Sequence, residues 1–395
     1  SDIAHLHEAV TGARIGYATG EPAFFNGTIA ANMFIDLQRR PPEVAAEKQD
    51  EERRRHIMEA EASGNSVFDP HLDWTDYALA GVSNRDELTE RAIDLLQAVE
   101  MEEDMYSIGL RQTIDPEVET VLADKVMTAR RRMREALDAQ GVDDLVQTYD
   151  MDRYNTYSSL AGNLLFGRPE SPEWAYEKLH ENPTVLALFE KHGLTERFHE
   201  IGLKCAELMV ELFQDLPPGH PFFELYSFVD EELLPELKIM ARKAKSGGEA
   251  NALTKEERGI LMGLPFDIVV QRHRLGLIDS EMQRTIVALR KELHESHPEV
   301  FKPGGAVEPF DPERYNRGLS ILDNMLFGRI VHGRSDATER VEAMIAEICA
   351  ELDLRRPIVR IAFDFQVGIN GGRLSAVQRQ KLNLVRNAVK RPDIL

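Results

Sequence analysis

The chain has 395 residues, 43% of them hydrophobic, which is enough for two or three packed domains. With 68 acidic and 47 basic side chains its formal charge is −21, a sign that disfavours a broad nucleic-acid surface or direct adhesion to anionic lipid. No run of about 18 apolar residues reaches membrane-spanning length, no charged-then-apolar leader follows Ser1, and only Cys205 and Cys349 are cysteines, which points to a reducing compartment.

Taken in chain order, ARIGYA (Ala13 to Ala18) alternates as a short strand does, and FFNGTIAANMFI follows it. Pro41-Pro42, the charged run EKQDEERRR and SGNS (Ser63 to Ser66) read as a solvated connector. Helical periodicity then takes over. LTERAIDLLQAV places Ala92, Ile93, Leu96 and Val99 on one stripe. The acidic VEMEEDM (Val99 to Met105) suits a solvated helix face and lacks a calcium-loop pattern. VLADKVMTARRRMREAL lines up Leu122, Val126, Ala129, Met133 and Leu137, and similar runs begin at Lys204, Glu232 and Glu339. Asp215 to Pro221 (DLPPGHP) reads as a hinge, and KSGGEANALTKEE from Lys245 as a loop ending in a helix cap. RHRLGL (Arg272 to Leu277) fits a helix end at Gly276, HPEVFKPGGAVEPFDP from His297 separates the middle from the last segment, and PIVRIAF (Pro357 to Phe363) is a second strand candidate.

An internal echo crosses this pattern. YDMDRYNTYSSLAGNLLFG (Tyr149 to Gly167) and FDPERYNRGLSILDNMLFG (Phe310 to Gly328) align without gaps at an offset of 316 − 155 = 161 residues. They share Arg-Tyr-Asn and Asn-x-Leu-Phe-Gly, and FFNGTIAANMFI is a looser third relative with Asn26 and Asn32 in the corresponding roles. The unequal spacings exclude a solenoid, so one structural device is used up to three times. Tyr154 and Tyr315 are expected to pack at corners while Asn155 and Asn316 close turns.

Other chemistry finds little footing. His5-x-His7 and His294-x-x-His297 lack the companion ligands of a zinc site, and no nucleophile elbow or Cys/His pair is present. No catalytic or metal-ligating residue is assigned.

The last 25 residues, GGRLSAVQRQKLNLVRNAVKRPDIL, carry the sharpest signal. Ser375 and Gln378 form an S-x-x-Q capping box, Val377, Leu382, Val385 and Val389 supply an apolar stripe, and Pro392 stops the helix. Gly371 and Gly372 leave the helix N-terminus open, where main-chain amides could meet an anion; an ordinary capped helix explains the same pattern.

This stretch resembles the signature region of ABC-type ATPases, in which LSGGQ opens a helix that leads to a Pro-Asp step before the Walker B strand. Leu374, Ser375 and Gln378 match that motif, and Ala376 and Val377 replace its glycines. RIGYATGEPAFFNGTIAANM (Arg14 to Met33) resembles the Q-loop strand and the turn after it, with Gly20, beside Glu21, in place of the glutamine. The resemblance implies a mainly α fold: an ABC-type helical subdomain enlarged by a multi-helix insertion, with short β remnants of the nucleotide-binding core at the ends. The implied parts are a Q-loop-like segment at residues 1–36, a connector and helical region at 37–148, a helical insertion at 149–309 and the signature subdomain at 310–395.

It also implies that Gly372, Leu374, Ser375, Ala376, Val377 and Gln378 face ATP and Mg²⁺ gripped by a second nucleotide-binding domain, with Gly20 and Glu21 at the Q-loop position. A transmembrane exporter domain is the other implied partner, on the cytoplasmic side of the membrane and without insertion of this chain. Because no G-x-x-x-x-G-K-[ST] and no acidic pair after an apolar strand occurs, the groups that grip phosphate are expected outside this sequence and the chain alone is expected to hydrolyse nothing. Gly20 and Val377 predict a weakened site. The alternative is a non-catalytic helical interaction module derived from such an ATPase.

Overall fold

The computed structural model describes residues 7–39, 51–68, 72–213, 215–216, 220, 223, 227–246, 252–331 and 336–395. His5, Pro41-Pro42 and most of the expected hinge after Asp215 lie outside the described residues. The described chain is mainly helical with a few short strands. The elements that matter below are, in chain order, α1 (Ile29–Met33), α2 (Arg85–Ala98), α3 (Glu102–Leu110), α4 (Thr120–Ala139), β1 (Val146–Thr148), α5 (Leu160–Leu165), β2 (Gly167–Pro169), α6 (Thr195–Phe213), α7 (Ser280–Ser296), β3 (Val307–Pro309), α8 (Ile321–Leu326), β4 (Gly328–Ile330), α9 (Arg355–Ile361) and α10 (Ala376–Val389). They form two compact units, residues 1–112 with 355–395, and residues 113–354. The expected parts 37–148 and 310–395 are therefore each divided between the two units.

Several local expectations give way to helix. Residues 355–361 are α9, because Ile358, Val359 and Ile361 fall on one buried face while Arg355, Arg356 and Arg360 point outward to Glu102, Glu103, Glu90 and Asp94. The charged connector becomes a helix from Glu51 to Ser63. ARIGYA contributes a single bridge, Ile15 to Ile394, rather than a strand. The segment from His297 is no divider: it supplies β3 and buries Phe301 inside the second unit.

Residues 113–354 are two similar halves. β1 pairs antiparallel with β4 and β2 with β3, and the 161-residue offset that relates the two sequence echoes converts the pair Val146–Ile330 into Val307–Pro169. Each half thus lends a strand to the other. At the centre the equivalent rings of Tyr149 and Phe310 stack at 4.2 Å, with Phe166 and Phe327 edge-on to them at 5.5 Å across the halves. Phe166 and Phe327 both end a helix in the left-handed region, at φ 45° and 43°, a costly conformation for a bulky residue that the surrounding packing must hold. Glycine follows each for a steric reason: a Cβ on Gly167 would stand 2.6 Å from the Glu308 carbonyl oxygen, and one on Gly328 2.5 Å from that of Gln147. Beyond this centre, α6 and its neighbours Leu234–Ser246 and Lys255–Gly263 build the larger core around Phe189, Phe198 and Phe266.

The sequence echo turns out to be half of a three-times-used lock. Helices α1, α5 and α8 each start at a hydroxyl cap (Thr28, Ser159, Ser320) that accepts from the amide three residues on. Each carries one buried asparagine, Asn32, Asn163 or Asn324. In the second unit Asn163 and Asn324 clamp the main chain at Asn155 and Asn316, eight residues earlier. An arginine from a distant helix completes each lock. Arg290 of α7 donates to the Asn163 carbonyl at 2.6 Å and to its side chain at 3.0 Å, and Arg130 of α4 does the same to Asn324 at 2.7 and 3.0 Å. Their remaining donors meet the turns before, at the carbonyls of Asp150, Met151 and Arg153 or of Asp311, Pro312 and Arg314. Each guanidinium lies over the strained phenylalanine, Arg290 on Phe166 and Arg130 on Phe327. A buried charge is tolerable on these terms, since nearly every donor is engaged.

Candidate functional site

The third lock, in the first unit, holds the two motif-bearing segments against each other. Arg386 of α10 donates to the Asn32 carbonyl at 2.8 Å, to its side chain at 3.3 Å and to the Ala23 carbonyl at 3.0 Å, and stacks on Phe24. Asn32 in turn clamps Phe25, so Phe25, not the exposed Asn26, takes the part of Asn155 and Asn316. Farther along α10, Gln380 donates to the Gly20 carbonyl at 3.0 Å and Asn387 accepts from the Tyr17 amide at 2.9 Å. The turn before the helix closes the arrangement, with Gly371 at φ 70° beneath Phe24 and the Asn370 side chain accepting from the Phe24 amide.

Residues more than 350 positions apart in sequence thereby share one open cleft of about 650 Å³, lined by Gly20 and Glu21 on one side and Gly372, Ala376 and Arg379 on the other. Of the residues expected to face a nucleotide, Gly372, Ser375, Ala376 and Val377 are exposed, Gln378 is half-buried and Leu374 is buried beneath the tip. Val377 departs from the expected apolar stripe: it is 59% exposed, one residue into the first turn, while Leu382, Val385 and Val389 carry the buried face.

The capping box forms as its spacing predicts. Ser375 Oγ accepts from the Gln378 amide, and Gln378 Oε1 accepts from the Ser375 amide. Gln378 Nε2 also donates to Asp104 of α3 at 2.8 Å, which places a carboxylate beside the tip. The amides of Ala376 and Val377 are the first two of the helix and have no intrahelical acceptor. Arg379 braces the turn through the Leu374 carbonyl at 3.1 Å.

The arginines of the locks are the functional-geometry residues that sequence reading missed. Their signal was present: Arg130, Arg290 and Arg386 all sit on the apolar side of amphipathic helices, where an arginine needs a specific partner.

The remaining candidates have structural roles. Tyr154 and Tyr315 are buried at 8% and 9% exposure, and Asn155 and Asn316 close turns onto the Tyr157 and Gly318 amides. His294 bonds the Leu165 carbonyl and stacks on Phe301. Both cysteines are buried, and burial pushes the Cys205 thiol up to about 12. Among the described residues no three His, Cys, Asp or Glu side chains gather as metal ligands do, and no helix is long and apolar enough to cross a membrane. No known family profile, curated protein or solved structure matches the chain.

Proposed function

We propose that residues 14–35 and 371–395 are the Q-loop-like and signature-like parts of an ABC-type nucleotide-binding domain, and that the tip of α10 meets the outer side of a triphosphate gripped by a second such domain. The observation that carries this reading is the exposure of Ser375, Ala376 and Val377 at the tip of α10, with Gly372 and Ala376 lining one cleft with Gly20 and Glu21. Two unengaged amides and the positive end of the helix favour an anion there. The chain would supply the Ser375 hydroxyl and these amides; ATP and its Mg²⁺ would rest chiefly on groups that this sequence does not contain. Residues 113–354 then stand as an insertion between the two motif segments, in a protein coupled to a membrane exporter on its cytoplasmic face.

The site is a weakened one. Gly20 offers no side chain toward a metal or water, Val377 puts a branched side chain where close approach is wanted, and Asp104 opposes an anion. These three features also favour the second reading, a helical interaction module that turns nothing over. ATP-dependent dimerisation of a protein carrying this segment separates them. On the first reading ATP promotes dimerisation and Ser375→Arg abolishes it; dimerisation indifferent to ATP, or to Ser375→Arg, overturns that reading in favour of the scaffold.

A further inference from the structure

The two halves of residues 113–354 share a backbone plan but differ beside the lock. In the second half Phe301 stacks on His294 with ring centroids 4.0 Å apart, bridges to Val307 and takes Trp174 edge-on at 5.5 Å. It belongs to the longer connection, residues 297–306 between α7 and β3; residues 140–145 join α4 to β1 and include no aromatic side chain. In the first half, Arg134 and Val146 occupy the places of His294 and Val307, the neighbours of Phe301, and line a cleft of about 540 Å³. Met133, Leu137, Val146 and Phe327 give it an apolar floor.

Its edge is charged in both senses. Arg134 and Asp138 are one turn apart on the same face of α4, both exposed. Among the described residues neither has an ion-pair partner, and Arg153, across the cleft on the turn after β1, has only Asp150 at 3.9 Å. An apolar pocket with a few convergent polar groups is the usual form of a small-molecule site.

We propose that this cleft binds a free aromatic amino acid. The ring takes the place that Phe301 fills in the other half, the carboxylate meets Arg134 and Arg153, and the ammonium meets Asp138. A zwitterion satisfies both signs within one turn of helix, which an aromatic acid or an aromatic amine alone does not.

The test is calorimetric titration of the full chain with L-tryptophan, indole-3-propionate, tryptamine and indole. L-tryptophan should bind tightest, at one site per chain. Arg134→Ala should weaken L-tryptophan and indole-3-propionate about tenfold, the loss of one charge-assisted contact, and leave indole unchanged. Thr148→Trp, at an exposed position lining the cleft, should block all four while circular dichroism stays as in the parent. Phe301→Ala should open the equivalent space and add a second site for indole, as an emptied apolar cavity accepts a ring. Failure of L-tryptophan to bind at millimolar concentration, binding that survives Thr148→Trp, or equal weakening of indole by Arg134→Ala overturns the proposal.

Discussion

The locks of the two units use the same atoms in different surroundings. In residues 113–354 Arg290 and Arg130 are 0% and 5% exposed, and each engages its asparagine twice and three further carbonyls. In the other unit Arg386 is half-buried and meets its asparagine twice but only one further carbonyl. A guanidinium whose donors are nearly all engaged can be closed over by protein, whereas one with donors to spare stays within reach of water. The recognition of asparagine is thus a constant of the device, and the degree of sealing is what each unit sets for itself. The sealed pair holds an aromatic centre together; the open one braces the side of a cleft.

Removing the sealed arginine should have the largest effect. Arg290→Leu leaves the Asn163 side chain and several carbonyls dry, and is expected to destabilise its unit by roughly 3–5 kcal/mol, near the top of the single-substitution range. Urea unfolding with amide exchange read at α5 and α7 measures it; a loss under about 1 kcal/mol would mean that water replaces the guanidinium freely. Arg386→Leu should lose only about 1–2 kcal/mol by the same measurement, because water reaches the same kind of acceptors. Equal losses at the two sites would erase the distinction between them.

A smaller change sharpens the comparison at the cleft. Gln378→Ala removes one arm of the capping box and the bond to Asp104, and should cost about 0.5–1 kcal/mol, seen as faster amide exchange in the first turn of α10 alone. Acid should produce the mildest effect, confined to the second half of residues 113–354. Burial holds His294 of α7 below its ordinary value. The unfolded chain therefore binds a proton there that the folded chain refuses, so its contribution is complete above pH 6.5 and is lost as the pH falls through the folded value. Exchange at α7, corrected for intrinsic rate, should quicken on going from pH 7 to pH 5 more than at α4, where Arg134 replaces His294; the reverse order would show that other groups control acid stability.

Much of this was legible in local sequence. Helices with a clean 3.6-residue stripe, such as α2 and α4, follow their apolar residues, and the Ser375–Gln378 box forms from its spacing alone. The asparagine half of the lock was visible because its clamp is closed within eight residues. The arginine half showed only as arginines on apolar helix faces, with partners hidden, since Arg290, Arg130 and Arg386 reach across 127, 194 and 354 positions and sit among other basic residues that face water. PIVRIAF misled for a different reason: a short apolar run reads equally as strand or helix until its charged neighbours find partners on α2 and α3. The cleft beside Gly20 was legible as two motifs but not as one place, because contacts across more than 340 positions, such as those of Asn370, Gln380, Arg386 and Asn387, bring them together.

The exchanged strands carry an evolutionary consequence. Among the described residues β1 finds its ladder only on β4, and β2 only on β3, so neither of the two repeated segments satisfies its own backbone. A gene that lost one copy through unequal recombination would not encode a smaller working module. It would encode one with naked amide and carbonyl rows, a surface that recruits stray chains into aggregates. A repeat of this kind is therefore hard to lose.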